Sequence, residues 1–159
     1  MTPCKRVRLT GTIRVPLPPR DAFPLFTPTG ERAWAHGWEP EFPSPVSDDT
    51  EPGTVFQTDH AGRRSIWTVI RCDPGTTISY ATTTPGDRAG TVNVTCEPAE
   101  NRTTIATVSY DLTALVPEAN TDLERFAAHY PHFLAEWQRA SAQAIGRRRC
   151  EPSDSAVPD

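Results

Sequence analysis

Lysine is almost missing from this chain of 159 residues: Lys5 is the only one, and arginine carries the rest of the basic charge. That imbalance reflects genome composition and marks no site. Long apolar runs are missing as well. Met1 to Val15 alternates charged and apolar residues, which predicts neither a secretory signal nor a membrane span, and hence a cytoplasmic protein. Cysteine is scarce and scattered: Cys4, Cys72, Cys96 and Cys150 show no paired spacing, which disfavours a zinc site or a disulfide framework and suits free thiols in a reducing compartment. A net charge of -4 argues against general attraction to nucleic acid. No G-x-S-x-G turn and no Gly-rich run before a helix occurs, so there is no sign of a nucleophile elbow or a phosphate loop. His129 and His132 lie three apart, but Pro131 separates them and no acid or cysteine has matching spacing. No metal and no cofactor are expected.

What the sequence does contain is one long amphipathic stretch. Leu123, Phe126, Ala127, Tyr130, Leu134, Trp137, Ser141 and Ala144 recur at spacings of three and four, which lays an apolar stripe along one face of a helix over Thr121 to Ile145. Thr121 and Glu124 fit a capping box at its start. Gly146 is placed to end it, followed by three arginines that suit the negative end of the helix dipole. Pro131 removes one backbone hydrogen bond and crowds the carbonyl four residues back, so a kink or break is expected near Tyr130.

Upstream the period is two. Val7, Leu9, Gly11, Ile13 and Val15 alternate with polar residues, the pattern of a half-buried strand that stops at Pro16. Two short helices, Asp21 to Phe26 and Thr29 to Ala35, are predicted next, with Pro24 tolerable only in a first turn. The stretch 37–53 has no periodicity and reads as a long loop, although Trp38 and Phe42 favour folding back onto apolar surface. Five strand-like runs follow: Thr54 to His60, Arg64 to Cys72, Thr76 to Thr83, Ala89 to Glu97 and Thr103 to Leu115. Each is divided from the next by turn-forming residues, so the runs form an antiparallel meander. The length fits a single domain over 6–146, with a polar, disordered tail over 150–159.

These elements predict an α+β protein in which a curved antiparallel sheet of about six strands wraps a long C-terminal helix, with two short helices after the first strand. A sheet curved around one helix leaves a gap between them that suits a ligand. The element order from Val7 to Ile145 resembles the START-like superfamily, also called SRPBCC or the helix-grip fold. The resemblance is carried by the run from Ala33 to Phe42 (Ala-Trp-Ala-His-Gly-Trp-Glu-Pro-Glu-Phe), by Ser65 to Pro74, by the strand Val108 to Ala114, and by Phe133-Leu134-Ala135-Glu136-Trp137. Together these look like bacterial members of the polyketide cyclase and dehydrase type. The resemblance implies a hydrophobic cavity for lipids, steroids, polyketides or other aromatic molecules. It brings no shared catalytic motif, so no residue inherits a role.

Candidate cavity residues follow from face and chemistry. Trp34, Trp38, Trp67 and Trp137 offer flat apolar surfaces with one N–H donor each, and Tyr80, Phe126 and Phe133 extend that lining. Tyr110 and Tyr130 occupy apolar-face positions and can orient a carbonyl or donate a proton. His60 is of a residue type suited to general acid–base work and follows Asp59 at a strand end, where at most one of the two can face inward; a hairpin-end pair exposed to water is the favoured reading of both. Arg71 is a candidate counter-charge if it shares the face of Trp67 and Val69; it lies equally near the turn at Asp73, where water would solvate it. The leading expectation is a binder of a hydrophobic small molecule, with no nucleic-acid or membrane partner and with the oligomeric state open, a homodimer included. A cyclase, aromatase or dehydratase using Tyr110, Tyr130 and His60 is the alternative. A third reading is a protein-interaction module like the chaperone activators of this fold, with the 37–53 loop as its contact surface.

Overall fold

The computed structural model describes residues 2–150, so the tail expected over 150–159 lies, but for Cys150 at the end of the terminal helix, outside the described residues. Six strands form one antiparallel sheet: β1 (Arg6–Val15), β2 (Val55–His60), β3 (Arg63–Asp73), β4 (Thr77–Thr84), β5 (Arg88–Ala99) and β6 (Thr103–Ala114). Their spatial order is β1-β6-β5-β4-β3-β2. Short turns make neighbours of β2 to β6, and β1 completes the sheet by pairing along β6, from Arg6 opposite Thr113 to Val15 opposite Thr104. At the β2–β3 turn both Ala61 and Gly62 have positive φ, as a two-residue hairpin of the type I′ kind requires.

Alternation decides which face is apolar. Ile13 and Val15, Ile78 and Tyr80, Val92 and Val94, and Ala106 and Val108 are buried, while the residues between them carry polar groups outward. A register irregularity between Val69 and Arg71 interrupts this parity. Arg71 is accordingly exposed and paired with Asp73 at 2.6 Å, not turned inward beside Trp67.

The apolar face is covered by α2 (Asn120–Ala128) and α3 (Tyr130–Cys150), with the chain breaking between them at His129. The break falls where Pro131 requires it, because a proline is tolerated in the first turn of α3 but not in the interior of one continuous helix. Leu123, Tyr130, Leu134, Ser141 and Ala144 of the apolar stripe are all buried. Burial of a leucine or aromatic ring of this kind contributes about 1.5–3 kcal/mol. The start and end of the helical region differ from the sequence reading. A short helical turn, Pro117–Ala119, leads into α2, whose N-cap Ala119 makes no side-chain bond. Thr121 therefore does not cap, and Glu124 pairs with Lys5 instead. The neighbouring Asn120 uses its amide to hold the N-terminal segment, accepting from Lys5 N at 2.8 Å and donating to Pro3 O at 3.0 Å. At the far end α3 runs through Gly146 to Cys150; glycine there weakens the helix without ending it.

Between β1 and β2 the chain forms α1 (Pro19–Ala22) and two 3-10 turns, Phe23–Phe26 and Gly30–Ala33. Pro24 lies in the first turn of the former. The long loop does fold back: Trp38 and Phe42 pack on the core, and Glu41 exchanges two 2.8 Å backbone hydrogen bonds with Gln57 of β2.

Candidate functional site: an aromatic interior with a buried carboxyl

The turn between the two 3-10 segments is fixed by its own backbone and by three aromatic side chains. Thr27 Oγ1 donates to Pro24 O at 2.8 Å and accepts from Gly30 N at 3.1 Å. Gly30 is required, because a Cβ there would collide with the Pro24 carbonyl oxygen. Three aromatic donors then tie the segment down. Trp34 Nε1 donates to Leu25 O, Tyr80 OH to Phe26 O and Trp38 Nε1 to Pro28 O, each at 2.7 Å. A buried carbonyl without a partner is costly, so these bonds explain why an irregular segment holds one position against the sheet.

Around this segment the rings form two groups. In the first, Trp34 meets Trp137 edge-on with centroids 4.9 Å apart, Phe26 stacks on Trp137, and Phe133 links Trp137 to Tyr110, Phe126 and Tyr130. In the second, Phe56 stacks on Trp67 at 5.9 Å, and both meet Tyr80 and Trp38 edge-on. All seven aromatic residues expected to line a cavity, Trp34, Trp38, Trp67, Tyr80, Phe126, Phe133 and Trp137, therefore belong to these two groups. Val92 stands between them on the sheet, paired with Tyr80 on one side and Tyr110 on the other. Two strand spacings put these tyrosines roughly 9–10 Å apart along the sheet, and no ring contact bridges them among the described residues.

The polar candidates are distributed unevenly. Tyr130 is 4 % exposed and donates to Val108 O at 2.6 Å, and Tyr80 is committed to Phe26. Both hydroxyls hold the helix or the turn to the sheet. His60 is exposed at the β2–β3 turn, and Asp59 beside it pairs with Arg64, whose hydrogen bond holds the Asp59 carboxyl below its usual range. His60 is not brought to the aromatic interior. Tyr110 is different: its hydroxyl engages no partner among the described residues, and burial, with the charge of Glu31 second, pushes its phenol well above the ordinary value.

Glu31 is the residue that the sequence reading overlooked. It is 8 % exposed and sits on the Gly30–Ala33 turn, anchored by Glu31 N to Thr27 O at 3.1 Å and by Ala35 N to Glu31 O at 2.8 Å. Its carboxyl has no ion-pair or hydrogen-bond partner among the described residues, and burial raises its pKa well above the ordinary glutamate value. Trp34, at the end of the same turn, meets Trp137, and Trp137 in turn meets Tyr110 edge-on, so the turn that carries Glu31 packs against the first ring group. One signal is present in the sequence: Glu31 precedes Trp34 by three, a spacing that shares one helical face, and Trp34 is a candidate cavity residue.

Two hollows open among the described residues. One of about 380 Å³ lies between β1 and α3, lined by Thr10, Thr12, Leu134, Gln138 and Tyr130, a member of the first ring group. The other, of about 310 Å³, lies by the β4–β5 turn at Asp87, near Arg63 and Asp122. His129 and His132 are exposed, and among the described residues no three metal-ligating side chains come together. No helix among them is long and apolar enough to cross a membrane.

No curated protein matches the sequence significantly. Solved structures match its fold. Norcoclaurine synthase from Thalictrum flavum, in complex with dopamine and hydroxybenzaldehyde, is 12% identical with a TM-score of 0.64, over 93% of this chain and 91% of that one. A Mesorhizobium loti protein is 17% identical with a TM-score of 0.60, over 90% and 98% of the two chains. DynU16, a protein of the dynemicin biosynthetic locus, is 16% identical with a TM-score of 0.55, over 84% of this chain and 46% of that one. At such identities the likeness is one of fold. Sequence supplies the rest, since residues 6–143 match the family described as polyketide cyclase / dehydrase and lipid transport. The chain is thus a START-like protein with the helix-grip fold and belongs to the polyketide cyclase / dehydrase and lipid transport family.

Proposed function

We propose that the protein binds a hydrophobic or aromatic small molecule in the interior between the curved sheet and α3. One observation carries the reading: Trp67, Tyr110, Phe126, Phe133 and Trp137 pack on the core yet are only partly buried, so rings that a solid core would cover keep accessible surface. Titration with ethylnaphthalene, followed through the four tryptophans, tests it. Saturable quenching or a spectral shift at one equivalent is expected, and silence across ethylnaphthalene and its polar analogues overturns it.

A catalytic use of the same interior, of the cyclase or dehydratase kind, is favoured by one fact. Tyr110 leaves its hydroxyl unengaged among the described residues, and the turn carrying the buried Glu31 packs through Trp34 and Trp137 against the same ring group; two proton-transferring groups beside a bound carbonyl compound are what enolisation chemistry needs. Turnover of an enolisable aromatic ketone, followed by exchange of its α-hydrogens for deuterium, tests this reading. Exchange no faster with protein than without it rules the reading out. The protein-interaction reading gains nothing from the loop, whose Trp38 and Phe42 are turned into the core.

A further inference from the structure

The aromatic interior contains oxygens that no neighbour engages. Glu31 is more than nine-tenths buried, and its carboxyl is unpartnered among the described residues. Arg32, next to it in sequence, turns away to Glu39 at 2.8 Å. The hydroxyl of Tyr110 has no partner among the described residues, while those of Tyr80 and Tyr130 are bonded to carbonyls. Neither free group is walled in. The one side-chain oxygen or nitrogen among the described residues that is both sealed and unpaired is Asp87 Oδ1, at the β4–β5 turn. The Glu31 carboxyl and the Tyr110 hydroxyl therefore each border accessible space. Thr82, buried on the inner face of β4 opposite Trp67, also has no partner for its hydroxyl among the described residues.

We propose that Glu31 and Tyr110 form a pair of hydrogen-bond donors that receives the carbonyl oxygen of a flat aromatic ketone; this rests on the interior being a ligand site. The chemistry follows from what surrounds Glu31. An ionised carboxylate taken out of water needs a cation or several donors, and none is supplied, so the group stays protonated and offers one O–H. A phenol offers another. A ketone oxygen has two lone pairs and no hydrogen to give, which matches two donors, while the rings on either side of Val92 match the apolar body of the ligand. A free acid and a free phenol over an apolar floor would be a pure desolvation cost in the unliganded protein; engagement by an acceptor removes it.

The test compares acetonaphthone with ethylnaphthalene, which has nearly the same shape and no carbonyl, by tryptophan fluorescence and by the infrared carbonyl stretch of the bound ketone. Two neutral hydrogen bonds favour the ketone by about tenfold or more, and the stretch moves to lower frequency than in hydrocarbon. Glu31→Leu and Tyr110→Phe each shrink that preference and raise the frequency. Equal binding of the two probes, or a ketone preference that survives both substitutions, overturns the pairing and leaves the ligand site standing. Failure of both probes to bind the unsubstituted protein overturns both. Naphthyl ethylamine is the third probe: if it binds more tightly than the ketone and loses that advantage in Glu31→Leu, Glu31 is a counter-ion and the proposal falls. Should Glu31→Leu not fold, Tyr110→Phe with the infrared shift decides alone.

Discussion

The phenol of Tyr80 donates a 2.7 Å hydrogen bond to the backbone carbonyl of Phe26, joining the middle of β4 to a turn 54 positions earlier. Through that bond the sheet dictates where the 3-10 segments lie, and with them Glu31.

Tyr80→Phe keeps the ring and removes the bond, stranding a buried carbonyl. The expected loss of stability is about 1–3 kcal/mol, read from urea denaturation. Binding of ethylnaphthalene should weaken with it, because the turn that carries Trp34 loosens. A change in stability smaller than about 0.5 kcal/mol would mean that the bond anchors nothing.

Two strand glycines separate a hard from a soft restriction. A Cβ on Gly90 would meet the backbone of Asp111 and Leu112, whereas one on Gly11 would meet the tip of the Leu134 side chain. Backbone cannot step aside without breaking the β5–β6 ladder, but a leucine can change rotamer. Gly90→Ala should therefore cost more than about 3 kcal/mol or prevent folding, and Gly11→Ala about 1–2 kcal/mol. Thermal unfolding of both variants checks the order, and a reversed order contradicts this account of the β5–β6 contact.

The buried acid predicts a pH dependence with a definite sign. Burial raises the folded-state pKa of Glu31 above its ordinary value of 4.5, so the folded protein holds a proton that the unfolded chain has released. Stability from this group is fully present below about pH 4.5 and is lost as pH climbs toward the folded-state value, at up to about 1.4 kcal/mol per pH unit. Glu31→Gln removes the dependence. The difference in stability between wild type and Glu31→Gln, measured from pH 4 upward, should move steadily against the wild type; the opposite slope would show that the carboxyl is ionised and stabilised in the folded protein.

Much of the architecture was legible because it depends on periodicity. The two-residue alternation of Val7 to Val15 and of Ala106 to Leu112, and the three-and-four spacing from Leu123 to Ala144, specify strand and helix by geometry alone. The break at His129 follows from one proline. Where the reading went astray, a distant residue had intervened. Thr121 and Glu124 have the pattern of a capping box, but Lys5, more than a hundred positions away, takes Glu124. Arg71 has the parity of an inward residue, but a register shift after Val69 turns it out.

The candidate site divides in the same way. Sequence by itself determined the α+β class, the antiparallel meander, the broken terminal helix and the supply of aromatic rings, since each depends on residues close together in the chain. Only the tertiary structure decided which polar groups those rings would leave free. A hydroxyl or carboxyl is committed or available according to which backbone carbonyl lies beside it. That is why Tyr80 and Tyr130 are spent on Phe26 and Val108, while Tyr110 and the buried Glu31 find no partner among the described residues.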